Sequence, residues 1–164
     1  MKIMDIEKVD NYIIEILRKF GWNEKRHIDI SEYEYVLTKE GYSVNEYAKK
    51  IMSEFAQINI NMIIEPEYKN KYRGATIEFD PFYGADQDYL RIPFEDTLKE
   101  GITPIARYYD ATVFVGDKND IYIGDTEQLS FIGTGIEELL NYLFLKEKRE
   151  TDIKVKNWFL DIFD

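Results

Sequence analysis

One histidine, His27, and thirty-two Asp and Glu side chains are the groups with which this chain could do acid–base or metal chemistry, and no cysteine joins them. A Ser-His-Asp triad would have to use His27, but no G-x-S-x-G nucleophile elbow is present, so His27 reads as a surface or strand-edge residue. Asp86-Gln87-Asp88 and Asp117-Lys118-Asn119-Asp120 are the two runs with the look of a cation loop. Both lack the glycine and the closing glutamate at the offsets a calcium loop needs, and they read as acidic turns. Gly133-Thr134-Gly135 precedes a helical pattern and could invite a phosphate. It lacks the lysine of a phosphate-binding loop and the third glycine of a dinucleotide motif, so tight-turn glycines explain it. Paired carboxylates for glycoside chemistry arise by chance in so acidic a chain, and none stands out. The expectation is a protein with no catalytic residue, no metal and no cofactor.

Charge says more. The formal net charge is −11 over 164 residues, and nucleic acid or an anionic membrane would need clustered Lys and Arg instead. Residues 76–129 concentrate the acidity, with twelve Asp and Glu against four Lys and Arg. Two classes fit: a binding module whose acidic face captures a basic protein, or a small-molecule or catalytic domain whose site leaves no mark in sequence. Salt-sensitive association would favour the first. The absence of cysteine excludes disulfides and thiolate sites. With no apolar signal region at Met1–Asp5 and no apolar run near 18 residues, a cytoplasmic protein is expected.

The elements that would position such a face follow from periodicity. Ile6, Val9, Ile13, Ile16, Leu17 and Phe20 fall on one helical face, predicting a helix over about 4–20. Gly21 would close it in a left-handed turn, with Trp22 folding back on Leu17. Ser31 with Glu34, and Ser43 with Glu46, have capping-box spacing and predict two more helices, the first ending at Gly41. At Ile58, Ile60 and Met62 the period changes to two, predicting a strand; Ala75–Phe79 predicts a second. A helical turn or two is expected between Pro93 and Gly101. Thr103–Arg107, Thr112–Gly116 and Ile121–Ile123 predict a three-stranded meander. Thr134 with Glu137 has capping-box spacing at the start of a helix through Phe144, and a last helix is expected within 151–164. The sum is one α+β domain, an antiparallel sheet covered by N-terminal and C-terminal helices, over residues 1–164.

Several short motifs in this order resemble the third immunity-protein family of the SUKH superfamily. They are Gly21-Trp22 with Arg26, Ile28-Asp29-Ile30, Gly41-Tyr42, and Phe55 before an apolar strand. Leu98, Gly101 and Pro104-Ile105, the run Asp120–Gly124, and Ile136–Leu140 complete the set. The likeness covers about 10–145 and leaves 150–164 as an extension. The chain departs from the family pattern at Ala56-Gln57 and Ala106, where glycines are usual. The resemblance implies an immunity protein, without cofactor, that binds a cognate secreted toxin domain such as a nuclease or deaminase. Related regulatory and scaffold domains make a different basic partner the alternative. A toxin that grips nucleic acid is itself basic, which agrees with the charge. The partner-binding candidates are therefore acidic and aromatic residues of the turns: Asp80, Tyr83, Asp86, Asp88, Tyr89, Asp110, Asp117 and Asp120. Gly21, Trp22 and Arg26 are expected to be structural, with Arg26 paired to Asp29 or a sheet carboxylate. The free protein is expected to be a monomer or weak dimer.

Overall fold

The computed structural model describes residues 3–147, 149–156 and 158. Seven strands form one antiparallel sheet in chain order: β1 (Asn59–Met62), β2 (Ala75–Glu78), β3 (Ile102–Tyr108), β4 (Ala111–Gly116), β5 (Asp120–Gly124), β6 (Leu129–Thr134) and β7 (Thr151–Ile153). Five helices accompany them: α1 (Asn11–Lys19), α2 (Ser31–Lys39), α3 (Glu46–Phe55), α4 (Asp88–Leu98) and α5 (Ile136–Phe144). The α+β class and the antiparallel meander are as expected. β6 and β7 extend the meander beyond its three predicted strands. Pro104 sits inside β3 at the cost of a bulge before Ala106, which restores the pairing with β4.

Every residue of β4 from Thr112 to Gly116 is buried, and successive residues of a strand face opposite ways. The centre of the sheet is therefore covered on both sides. On one side the Phe94 ring of α4 meets Phe114 edge-on at 5.8 Å. Thr112 on the same side donates its hydroxyl to the buried Gln87 side chain at 2.7 Å. α3 packs on β3, α5 on β6 and α1 on α5, and α3 and α5 supply the other cover. The sequence expectation covered the sheet with N-terminal and C-terminal helices and gave the middle of the chain only a helical turn or two between Pro93 and Gly101; the full helix α4, starting at Asp88, completes the sandwich.

Local chemistry moved several boundaries. The first helix is broken: a single 3-10 turn spans Ile6–Lys8, and Asp10 starts α1 by accepting the Tyr12 N–H at 2.9 Å. α4 begins at Asp88, and Pro93, five residues on, would be disfavoured inside a helix on local grounds. Pro93 is tolerated because it is buried beside Phe94 and Leu90. None of the three capping boxes forms. Ser31 gives both its N–H and its hydroxyl to Asp29. Asn45, not Ser43, caps α3 by accepting the Ala48 N–H at 2.7 Å. At α5 the cap residue is Gly135, Thr134 donates to Asp120, and the Ile136 N–H is taken by the Tyr47 hydroxyl at 2.9 Å. Residues 151–153, expected in a helix, pair with β6 instead; 159–164 lie outside the described residues.

The Gly21 turn forms as predicted. The Trp22 N–H bonds to Leu17 O at 3.0 Å and the Gly21 N–H to Arg18 O, with Gly21 at φ 111°. Trp22 is buried and donates its indole N–H to Glu54 at 3.0 Å. Arg26 pairs with neither Asp29 nor a sheet carboxylate. Its guanidinium donates to the carbonyls of Glu54 at 2.8 Å and Ala56 at 2.7 Å, the open end of α3. A helix end exposes unpaired carbonyls and carries a partial negative charge, which a forked cation satisfies.

Candidate partner-binding site

An antiparallel meander sends alternate turns to opposite ends of the sheet. The β3–β4 turn (Tyr109-Asp110) and the β5–β6 loop (Asp125–Gln128) therefore share one end, and the β4–β5 turn (Asp117–Asn119) lies at the other. With strands of about five residues, the ends are roughly 17 Å apart. The predicted acidic residues divide accordingly. Asp117 accepts the Gly101 N–H at 2.9 Å and Asp120 accepts the Thr134 hydroxyl at 2.7 Å, both at the β4–β5 end. Asp80 caps a 3-10 turn over Pro81–Gly84 through the Phe82 N–H. Asp86 is exposed, and Asp88, also exposed, is paired with Arg91 at 3.2 Å.

Tyr83, Tyr89 and Asp110 come together. They line a cleft of about 290 Å³ with Gln87, Asp125 and Glu127. Three elements build it. The 3-10 turn and the start of α4 supply the tyrosines, with Gln87 fixed by its bond to Thr112. The β3–β4 turn supplies Asp110, whose side chain is 96% exposed. The β5–β6 loop supplies Asp125 and Glu127, held by the bonds from the N–H groups of Glu127 and Gln128 to Asp125 Oδ1. The Tyr83 hydroxyl donates to Asp110 O at 3.2 Å, tying the first element to the second.

The electrostatics favour a cation. Arg107 lies 3.5 Å from Asp110 and 4.9 Å over the Tyr83 ring, so one guanidinium already occupies the rim. Among the described residues, no Lys or Arg pairs with Asp125 or Glu127. Burial, with nearby Tyr83, pushes the Tyr89 hydroxyl above its ordinary pKa and keeps it a neutral donor. Carboxylates beside tyrosine faces suit Lys or Arg side chains, which bond the former and stack on the latter. Asp125 and Glu127 were not among the predicted site residues. Their signal was an Asp-initiated turn between two β-prone runs, visible once Leu129–Thr134 is recognised as a strand. His27 is exposed on the loop between α1 and α2. Among the described residues there is no cluster of three or more His, Asp or Glu placed to hold a metal ion, and no helix long and apolar enough to cross a membrane.

Fold and surface define an acidic α+β protein whose most chemically directed feature is an open cleft of carboxylates and tyrosines. The comparison with known families is more particular. Residues 9–146 match the family model for SUKH-3 immunity proteins, and the chain belongs to that family. No curated protein and no solved structure matches the chain.

Proposed function

We propose that this immunity protein binds and neutralises a cognate secreted toxin domain, a basic nuclease or deaminase, by seating its cationic side chains in the acidic cleft. On this reading it acts in the cytoplasm of the producing cell, as a binder and not as an enzyme. The observation that carries it is the convergence of Asp110, Asp125 and Glu127 with Tyr83 and Tyr89 at one end of the sheet, on a chain of net charge −11 that belongs to an immunity family. Asp80, Asp86 and Asp88 flank the same approach in sequence, and Asp117 and Asp120 form a separate patch.

The test uses the toxin domain encoded beside this chain's gene. Substituting Asp110→Asn, Asp125→Asn and Glu127→Gln together keeps shape and turn bonds while removing three charges. At about 0.5–1 kcal/mol for each partly exposed pair, binding should weaken roughly 10–100-fold. Asp117→Asn with Asp120→Asn should leave it unchanged. Unaltered affinity of the triple variant, with growth protection intact, would remove the cleft from the interface.

A further inference from the structure

Across the β3–β4 turn from the acidic cleft lies a larger groove of about 580 Å³ with the opposite character. Its cations are Lys69, Arg73 and Lys146, and no Asp or Glu lines it. Lys69 and Lys146 are exposed, and neither pairs with a carboxylate among the described residues. Arg73 bonds Tyr142 O through one terminal nitrogen, while its Nε is buried with no hydrogen-bond partner among the described residues. On a chain this acidic, three cations around one unneutralised hollow are not the expected outcome of composition.

The groove is also apolar. Ile63 is 85% exposed and Tyr109 53% exposed, and both line it. Tyr109 holds φ 52°, a left-handed turn position that favours glycine or asparagine. A tyrosine kept there presents its ring at the lip of the groove. A smaller hollow of about 290 Å³ lined by Thr76, Glu78, Arg107, Tyr109 and Asp110 joins groove to cleft. Tyr109 and Asp110 are thus neighbours on one turn, the first at the basic groove and the second at the acidic cleft.

We propose that this groove is a second recognition site that takes a carboxylate-bearing, apolar segment of the protein partner, so that the partner is read by both signs of charge across one turn. This rests on the partner docking at the acidic cleft. A partner that were uniformly basic would be repelled by Lys69 and Lys146, whereas a bipolar one gains complementarity and a fixed orientation. An apolar side chain beside the carboxylate covers Ile63 and Tyr109 and desolvates the ion pairs.

The two partner types give opposite signs in one experiment. Full-length chain carrying Lys69→Glu and Lys146→Glu is titrated calorimetrically with the toxin domain encoded beside its gene, in parallel with Ile63→Ser. Both lysines and Ile63 are exposed, and an unchanged melting curve confirms folding. The proposal expects about tenfold or greater weakening on charge reversal and a smaller loss for Ile63→Ser. Tighter binding on reversal shows a uniformly basic partner and overturns the proposal, as does unchanged affinity. Failure of the cleft reading is told apart by the triple carboxylate variant, which would then bind normally while the groove variants bind weakly.

Discussion

Removing the Arg26 fork should cost stability and leave recognition alone. Arg26→Met retains the stem and deletes the two bonds to Glu54 O and Ala56 O. Charge-assisted bonds are worth about 1.5–3 kcal/mol each when well shielded. Arg26 is only partly buried, so water replaces some of each bond and about half the value remains. Two bonds then give about 2–3 kcal/mol, including a few tenths from the lost cation at the α3 terminus. For a domain of this size the melting temperature should fall by roughly 5–10 °C. Urea unfolding followed by circular dichroism measures the free-energy loss, and a thermal melt the shift in temperature. Arg26→Lys should recover less than half, because one ammonium cannot span two carbonyls as the planar fork does. Affinity for the toxin domain should stay within about twofold while the variant is folded. Unfolding within about 0.5 kcal/mol of the parent, or full rescue by lysine, would refute the clamp.

Glu54 is buried and accepts from the Trp22 indole and from the Ile3 N–H at 3.1 Å; Glu54→Ala strands both donors and should cost about 2–4 kcal/mol, against about 1 for Glu54→Gln, in the same urea assay. Burial is the main cause that raises the hydroxyl pKa of Tyr42, Tyr122 and Tyr142, with Glu100 adding to the rise at Tyr122 and Glu150 at Tyr142. A raised folded pKa means the unfolded chain ionises first, so this stability is complete below about pH 10 and lost as pH climbs past it. Denaturation midpoints should therefore drop on the alkaline side, with the share of phenolate absorbance that belongs to these three tyrosines appearing together with unfolding.

The helix stop at Phe20-Gly21-Trp22 was legible because it is local: a glycine free to take positive φ and a hydrophobic residue one step on are sufficient for the turn. Gly41-Tyr42 repeats it, with the Tyr42 N–H bonded to Leu37 O at 3.0 Å. The capping boxes were misread because their side chains had better partners elsewhere. Thr134 faces Asp120 on the neighbouring strand, and Glu34 meets Lys49 on α3 at 3.0 Å. A spacing of three residues shows only what could bond if nothing else competes. β7 was missed because three residues carry too little period to outweigh a helical pattern, and only the edge of β6 recruits them.

By itself the sequence determined the α+β class, the meander at its centre, the acidity of the middle third and the resemblance that the family match bears out. Those follow from periodicity, composition and short ordered motifs, all properties of neighbours along the chain. Tertiary structure alone decided which charges lie together. Antiparallel pairing carried Asp117 and Asp120 to one end of the sheet and gathered Asp110, Asp125 and Glu127 at the other. It also set three cations and two exposed apolar residues beside them. Side chains separated by up to about eighty residues became neighbours there, because strand direction, which no local window encodes, fixes the end at which each turn emerges.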